Sequence, residues 1–248
     1  MTILDDFKIK ALNSKFANGE PISILEHSIL NLFKNKIAYV CSFGTESAII
    51  LHLISKISKD IPILILNTHF LFEETIKYKD DLLKLLGLRN CHEVFPDDKL
   101  LKKFDSDNDL WKTEVDKCCN LRKVLPLEKS LTNFEAWISG RKTYHLAERK
   151  NLKAFEIINK KIVVNPLFKS SKDFVENYFL LNELPKHPLV AKGYLSIGCK
   201  HCTIKTNNIK DLREGRWSDK TKTECGIHLE KIEKKEKKEK KEKKERNG

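Results

Sequence analysis

The sequence predicts an α/β fold organised around a parallel sheet. Three observations predict it: short apolar runs alternate with stretches of helical periodicity, a polar loop separates each run from the helix after it, and the runs have no polar face. Strands of this kind lie buried between helical layers and place ligands at their carboxyl ends. A chain of 248 residues, 40% of them hydrophobic, is long enough to bury one such core.

Taken in order, Asn18-Gly19 breaks the chain before Pro21 to Lys36, where Ile24, Leu25, Ile29, Leu32 and Phe33 share one helix face. Residues 1–36 therefore read as an N-terminal helical segment. Ile37 to Cys41 is a first strand, Ser42-Phe43-Gly44-Thr45-Glu46 its loop, and Ile50, Leu53, Ile54 and Ile57 mark the helix that follows. Ile61 to Leu66 is a second strand. Its loop runs from Asn67 to Leu71, and a helix begins near Glu73-Glu74 and stops at Gly87. Cys91 to Phe95 is a third strand. Asp105 to Asp109 offers helix caps, and Leu110 to Leu131 reads as helix around Cys118-Cys119, with Pro126 as a kink or end. Phe134 to Ser139 returns to strand, which puts the loop Gly140 to His145 at the ligand edge as well. Ile162 to Val164 is a further strand. Ser170-Ser171 then caps a helix through Phe174, Val175, Tyr178 and Leu181, ended by Pro185 and Pro188.

The charge is +12, but not evenly spread. From Glu230 to Gly248 a Lys-Lys-Glu repeat carries ten Lys and Arg against six Glu, which leaves +8 on residues 1–229. The tail has almost no apolar residue to bury, so residues 230–248 read as a charged, disordered tail. The basic body suits a doubly anionic small substrate. Neither a nucleic acid nor a membrane is the expected partner, and a homo-oligomer remains open. The N-terminus has no basic region followed by an apolar run, and the longest apolar stretch, Ile61 to Leu66, is too short to span a bilayer. This reads as a cytoplasmic protein. Seven cysteines, an odd number and clustered, then argue for metal ligands and a reactive thiol over a disulfide framework.

Ser42 to Ser47 lies between strand and helix, where free backbone N–H groups can cradle a phosphate. An ordinary turn capped by Ser42 explains it equally well. Cys118, Cys119, Cys199 and Cys202 could bind a metal centre together. Zinc usually takes two Cys-x-x-Cys knuckles, whereas adjacent helical cysteines point roughly 100° apart, a divergence that a cuboidal iron–sulfur cluster accepts more readily. Zinc, or a Cys199–Cys202 redox pair with inert buried thiols beside it, are the alternatives. Cys41 and Cys91 fall in strands as core residues. Cys225, in Lys222-Thr223-Glu224-Cys225-Gly226-Ile227-His228, is exposed by its glycine neighbour. Charge on Lys222 and His228 would favour its thiolate, and Glu224 opposes them. Lys123, Arg141, Lys142, Arg213 and Arg216 offer charge for phosphate or sulfate oxygens, although any one of them alone suits a solvated surface.

Together these residues resemble the assimilatory adenylyl-sulfate (APS) and phosphoadenylyl-sulfate (PAPS) reductases. Cys118-Cys119-Asn120-Leu121-Arg122-Lys123 is similar to the family's tandem-cysteine helix, and Ser196-Ile197-Gly198-Cys199-Lys200-His201-Cys202-Thr203 to its cluster loop. Gly215-Arg216-Trp217 and Lys222 to His228 are similar to its substrate and nucleophile motifs, and Ser42 to Glu46 to its Ser-Phe-Gly-Ala-Glu loop. The resemblance implies an adenine-nucleotide α-hydrolase-like domain, related to the pyrophosphate-loop enzymes, over residues 37–210. It also implies a mobile catalytic segment at 211–229. A [4Fe–4S] cluster on Cys118, Cys119, Cys199 and Cys202 follows from it, with Cys225 as nucleophile and Ser42, Gly44, Lys123, Arg141, Arg213, Arg216 and His228 holding substrate. Members with all four cluster cysteines use adenosine 5′-phosphosulfate. The implied activity is thiol-dependent reduction of that substrate to sulfite and AMP, in sulfate assimilation and cysteine biosynthesis, with thioredoxin or glutaredoxin as thiol donor. A PAPS reductase is the alternative, and a tRNA-thiolating enzyme a more distant one. In one departure, Leu66-Asn67-Thr68-His69-Phe70 stands where the family often has Leu-Asp-Thr-Gly-Arg.

Overall fold

A computed structural model describes residues 6–145, 149–208, 211–217 and 222–229. The expected tail, 230–248, lies outside these residues, as does part of the expected catalytic segment. Six strands form one sheet: β1 (Ile37–Val40), β2 (Ile63–Leu66), β3 (Cys91–Val94), β4 (Ala136–Ile138), β5 (Phe155–Ile158) and β6 (Lys161–Val164). They lie in the order β3-β2-β1-β4-β6-β5. Tyr39 pairs with Ile63 and Ile37 with Ala136, both in parallel, so β1 is the centre from which the order runs both ways.

The expectation of a purely parallel sheet is corrected at one edge. β5 runs antiparallel to β6, joined by the two-residue hairpin Asn159-Lys160, both residues with positive φ. A left-handed pair is the turn that matches strand twist. The sequence reading passed over it because neither residue is glycine.

Side chains alternate across the sheet as strand geometry requires. Ile37, Tyr39, Ile63, Ile65, Ala136, Ile138, Ile162 and Val164 face one layer, made by α1 (Asp6–Lys15), α2 (Pro21–Glu26), α3 (Ser47–Ile57), α4 (Glu73–Leu86) and α9 (Lys172–Leu181). The N-terminal helices thus belong to the same core as the sheet. Ala38, Leu64, Trp137 and Val163 face the other way, under Leu127, Leu131 and, from the far end of the chain, Ile227.

The single helix expected over Leu110 to Leu131 is broken. It consists of α6 (Leu110–Thr113), α7 (Val115–Cys119), a π-helical turn Asn120–Val124 and α8 (Leu125–Ser130), preceded by an unforeseen α5 (Asp98–Phe104). Pro126 lies in the first turn of α8 rather than ending the helix, because that position needs no N–H from it. The wider π turn re-aims the side chains after the tandem cysteines, a local geometry that recurs at functional sites. No helix among the described residues is long and apolar enough to cross a membrane.

Candidate active site

β1 and β4 end side by side where the strand order reverses, the position at which doubly wound sheets open a crevice. The loops leaving them border a cavity of about 210 Å³. Ser42 and Gly44 line it from the first loop and Arg141 from the second, with Lys123, Arg213, Arg216, His228 and Cys225 completing it. Residues scattered from position 42 to position 228 therefore meet around one space, and Cys199 reaches it too.

The loop after β1 is a tight turn. Phe43 is fully buried with φ of 47°, and its N–H points back to Cys41 Sγ at 3.4 Å. Ser42 does not cap the helix; α3 starts at Ser47, and Glu46 holds the capping position with its carboxylate turned elsewhere. Glu46 Oε2 lies 2.7 Å from Lys142 Nζ and 3.0 Å from His145 Nε2, while the Tyr144 hydroxyl donates to Oε1 at 2.7 Å. Burial alone would raise this carboxyl, but Lys142 and His145 outweigh it and hold it well below the usual carboxylate range.

The loop after β2 serves a different site. Thr68 Oγ1 sits 3.2 Å from Cys199 Sγ, and Thr68 O accepts from Arg122. Arg122 is 1% exposed and forks onto Asp105, with Nε and Nη2 at 3.1 and 2.6 Å from one carboxylate oxygen. Asn67, in the place of the family's acid, donates instead to Glu93 at 2.6 Å. Cys118 and Cys199 pack with Phe70, Leu101, Leu110 and Leu121, and Cys202 joins them from the edge. Burial pushes the Cys118 thiol up to about 12 and Cys119 up to about 11. Cys199 goes the other way: burial is overcome by Lys123, the Thr68 hydroxyl and Arg216.

Lys123 is the cation between the two sites. Burial disfavours its charge, yet the thiols of Cys199, Cys225 and Cys119 around it raise its pKa above the ordinary lysine value. Arg216 donates to Cys202 O at 3.2 Å and lies against Gly198, where an added Cβ would fall 2.3 Å from its Nη2. Gly215 accepts from the Ile204 N–H at 2.8 Å, and an added Cβ there would fall 2.4 Å from Ile204 O.

Residues 222–229 are docked on the sheet. Ile227 packs on the Trp137 face, and the His228 ring stacks on Trp137 at 5.4 Å and 20°. Lys222 pairs with Asp116 and lies 5.7 Å over the Trp217 ring. Cys225 is half-buried rather than exposed. Two further expectations change with it. His228 lends Cys225 no charge, because burial and then Arg141 push its pKa well below 6.5. Nor does Glu224 stand free beside the thiol: Arg149 donates to it from Nε at 2.7 Å and Nη2 at 2.6 Å, and Arg213 Nη2 lies 3.7 Å away. Burial raises the Glu224 carboxyl, and His228, Arg149 and Arg213 bring it down to about 2. With the imidazole neutral, that work falls to the two guanidinium groups.

Glu46, Tyr144, His145, Arg149 and Glu224 are thus members of the site that the sequence reading did not assign. Three signals pointed to part of this set: the placement of the Ser42 to Ser47 loop, which holds Glu46, the placement of Gly140 to His145 at the ligand edge, and Glu224 beside Cys225; nothing pointed to Arg149.

A doubly wound sheet with a thiol and cations lining a cavity at its switch point defines an α/β domain whose cavity suits an anionic ligand. Residues 36–205 match the phosphoadenosine phosphosulfate reductase domain. Relatives named adenosine 5′-phosphosulfate reductase are 39% identical in Mesorhizobium japonicum, over 91% of this chain and 89% of that one, and 40% identical in Chelativorans sp., over 90% and 93%. A Candida auris structure, phosphoadenylyl-sulfate (PAPS) reductase in a phosphate complex, superimposes with a TM-score of 0.69 at 25% identity, covering 81% of this chain and 98% of that one. Candida glabrata FMN adenylyltransferase shares the fold at 13% identity, with a TM-score of 0.53 over 91% of this chain and 80% of that one. The chain belongs to the phosphoadenosine phosphosulfate reductase family.

Proposed function

We propose that this protein is an adenylyl-sulfate reductase: it reduces adenosine 5′-phosphosulfate to sulfite and AMP in sulfate assimilation. The observation that carries this is the Cys225 thiol in one cavity with Lys123, Arg141, Arg213 and Arg216. The sulfate sulfur is shielded by negative oxygens, so thiolate attack needs those charges offset and the reacting atoms held close. Lys123 and Arg216 bind the phosphate and sulfate oxygens, Arg141 and Arg213, each also paired with a carboxylate, add positive field beside them, and Ser42 and Gly44 supply backbone N–H groups at the nucleotide end. Cys225 Sγ forms a bond to sulfur while the bond from sulfur to the bridging oxygen breaks, and AMP leaves with that electron pair. A dithiol carrier such as thioredoxin or glutaredoxin then attacks Cys225 Sγ. Sulfite departs, a mixed disulfide forms, and the carrier's second thiol resolves it, so the carrier is oxidised as sulfur is reduced.

Cys118, Cys119, Cys199 and Cys202 fit a [4Fe–4S] cluster. Three of the four are buried, Cys118, Cys199 and Cys202 pack in one cluster of side chains, and Cys119 is near enough to Cys199 to feel its charge, a four-thiol donor set of the kind that holds such clusters. Bound there, it supplies fixed charge and position beside the substrate. Thr68 orients Cys199, and Lys123 links the thiols to the cavity.

Anaerobically purified protein mixed with adenosine 5′-phosphosulfate and no thiol should gain one SO3 on Cys225, read by intact mass and peptide mapping. An adduct formed only with the 3′-phosphorylated substrate would make this a PAPS reductase; none with either would refute the reaction class.

A further inference from the structure

The turn that carries Cys199 and Cys202 also presents a side chain that the substrate cavity does not use. His201, between the two cysteines, lies flat on Trp111 with ring centroids 4.3 Å apart and planes 14° from parallel. Phe70 meets the same imidazole edge-on at 4.8 Å and 84°. The Arg122 guanidinium in turn covers the Phe70 face at 4.1 Å. Parallel and perpendicular ring pairs at these separations attract, as does a cation over a ring.

What matters is where the four side chains come from. Trp111 belongs to α6, just ahead of Cys118 and Cys119, and Arg122 follows them in the π turn. Phe70 sits in the loop whose Thr68 meets Cys199. His201 is part of the Cys199–Cys202 turn itself. The stack therefore joins the segments that must converge for four thiols to face one another. Its inner end is anchored, since Arg122 is locked on the buried Asp105. Its outer end is not covered: His201 is exposed, and Cys202 is the only half-buried member of the four cysteines.

We propose that the Trp111–His201 stack is a clasp at the open edge of the cysteine site. It holds the Cys199–Cys202 turn against the tandem-cysteine helix and limits the access of dioxygen and water to the Cys202 corner of a bound cluster. His201 is in this role a positioning residue, acting through the turn it pins. The inference rests on the reading that these four cysteines hold an iron–sulfur cluster.

The test uses the full chain, wild type with His201→Ala and His201→Phe, each reconstituted anaerobically with iron and sulfide. Iron per chain is measured first, then the decay of the cluster's visible absorbance in air, with the melting temperature of each apo protein beside it. His201→Ala should load iron but lose absorbance about five-fold faster, the rate equivalent of one aromatic stacking pair. His201→Phe, which keeps a ring on Trp111, should restore the wild-type decay, while the apo melting temperature of His201→Ala should fall by no more than about 2–4 °C, the loss of one stacking pair and not of the fold. Trp111→Ala should match His201→Ala, with no added effect in the double variant. Equal decay of wild type and His201→Ala, or a His201→Phe that decays like His201→Ala, overturns the clasp and leaves the cluster reading standing. A wild type that takes up no iron overturns both.

Discussion

Around the cavity, Glu46 and Lys123 show two ways of burying charge. The Glu46 carboxylate is surrounded by Lys142, His145 and Tyr144, so its charge is answered within the protein. Lys123 meets mainly thiols, from Cys199, Cys225 and Cys119. The difference separates scaffold from reagent: a charge already answered holds loops together, whereas one facing thiols and a cavity remains available to an anionic substrate. Glu224 is intermediate, a carboxylate beside the proposed nucleophile that Arg149 and Arg213 neutralise.

The comparison can be broken at its reactive end first. Cys225→Ser should abolish the SO3 adduct and lower turnover about 10³-fold or more, since the hydroxyl is a far weaker nucleophile. Retained adduct elsewhere in the chain would move the nucleophile. Lys123→Met, which keeps the bulk and removes the charge, should slow single-turnover adduct formation about 10²- to 10³-fold. A loss under ten-fold would place Lys123 with the scaffold.

Glu224→Gln tests the intermediate case. It should slow adduct formation about ten-fold by loosening the docked segment, with the loss appearing mainly in KM. The pH dependence has a definite sign. Because the Glu224 carboxyl titrates lower folded, at about 2, than unfolded, its ion pair stabilises the fold above the ordinary carboxylate range, and that contribution disappears as pH falls toward 2. Acid unfolding of Glu224→Gln should accordingly be less steep in that window than that of wild type. Glu46→Gln should have the smallest effect on rate, under about ten-fold, and instead lower stability by about 2 kcal/mol in urea titration, because it leaves the buried Lys142 charge with the Gly140 carbonyl but no counter-ion. A large rate loss with unchanged stability would reverse the assignment of Glu46.

Much of the frame was legible because it is written in local spacing. The runs beginning at Ile37, Ile61, Cys91, Phe134 and Ile162 emerge as β1, β2, β3, β4 and β6, and the loops after β1 and β4 border the cavity. The antiparallel β5 was missed because its turn residues, Asn159 and Lys160, carry no glycine signal. Leu110 to Leu131 has one continuous apolar period, which cannot announce that packing around the tandem cysteines introduces a π turn. His228 was read as a cation from its type, whereas burial, and then Arg141, push its pKa well below 6.5.

The sequence by itself determined the alternation of strand and helix, the two cysteine pairs and the solitary Cys225, since each rests on residue type and short-range period; the basic residues were grouped with Cys225 only through the resemblance. Only the tertiary structure decided which charges cancel, because the pairs that do so, Glu46 with Lys142 and Glu224 with Arg149, bring together residues far apart in the chain. Charge state follows burial and neighbours in space, and neither is a local property of sequence.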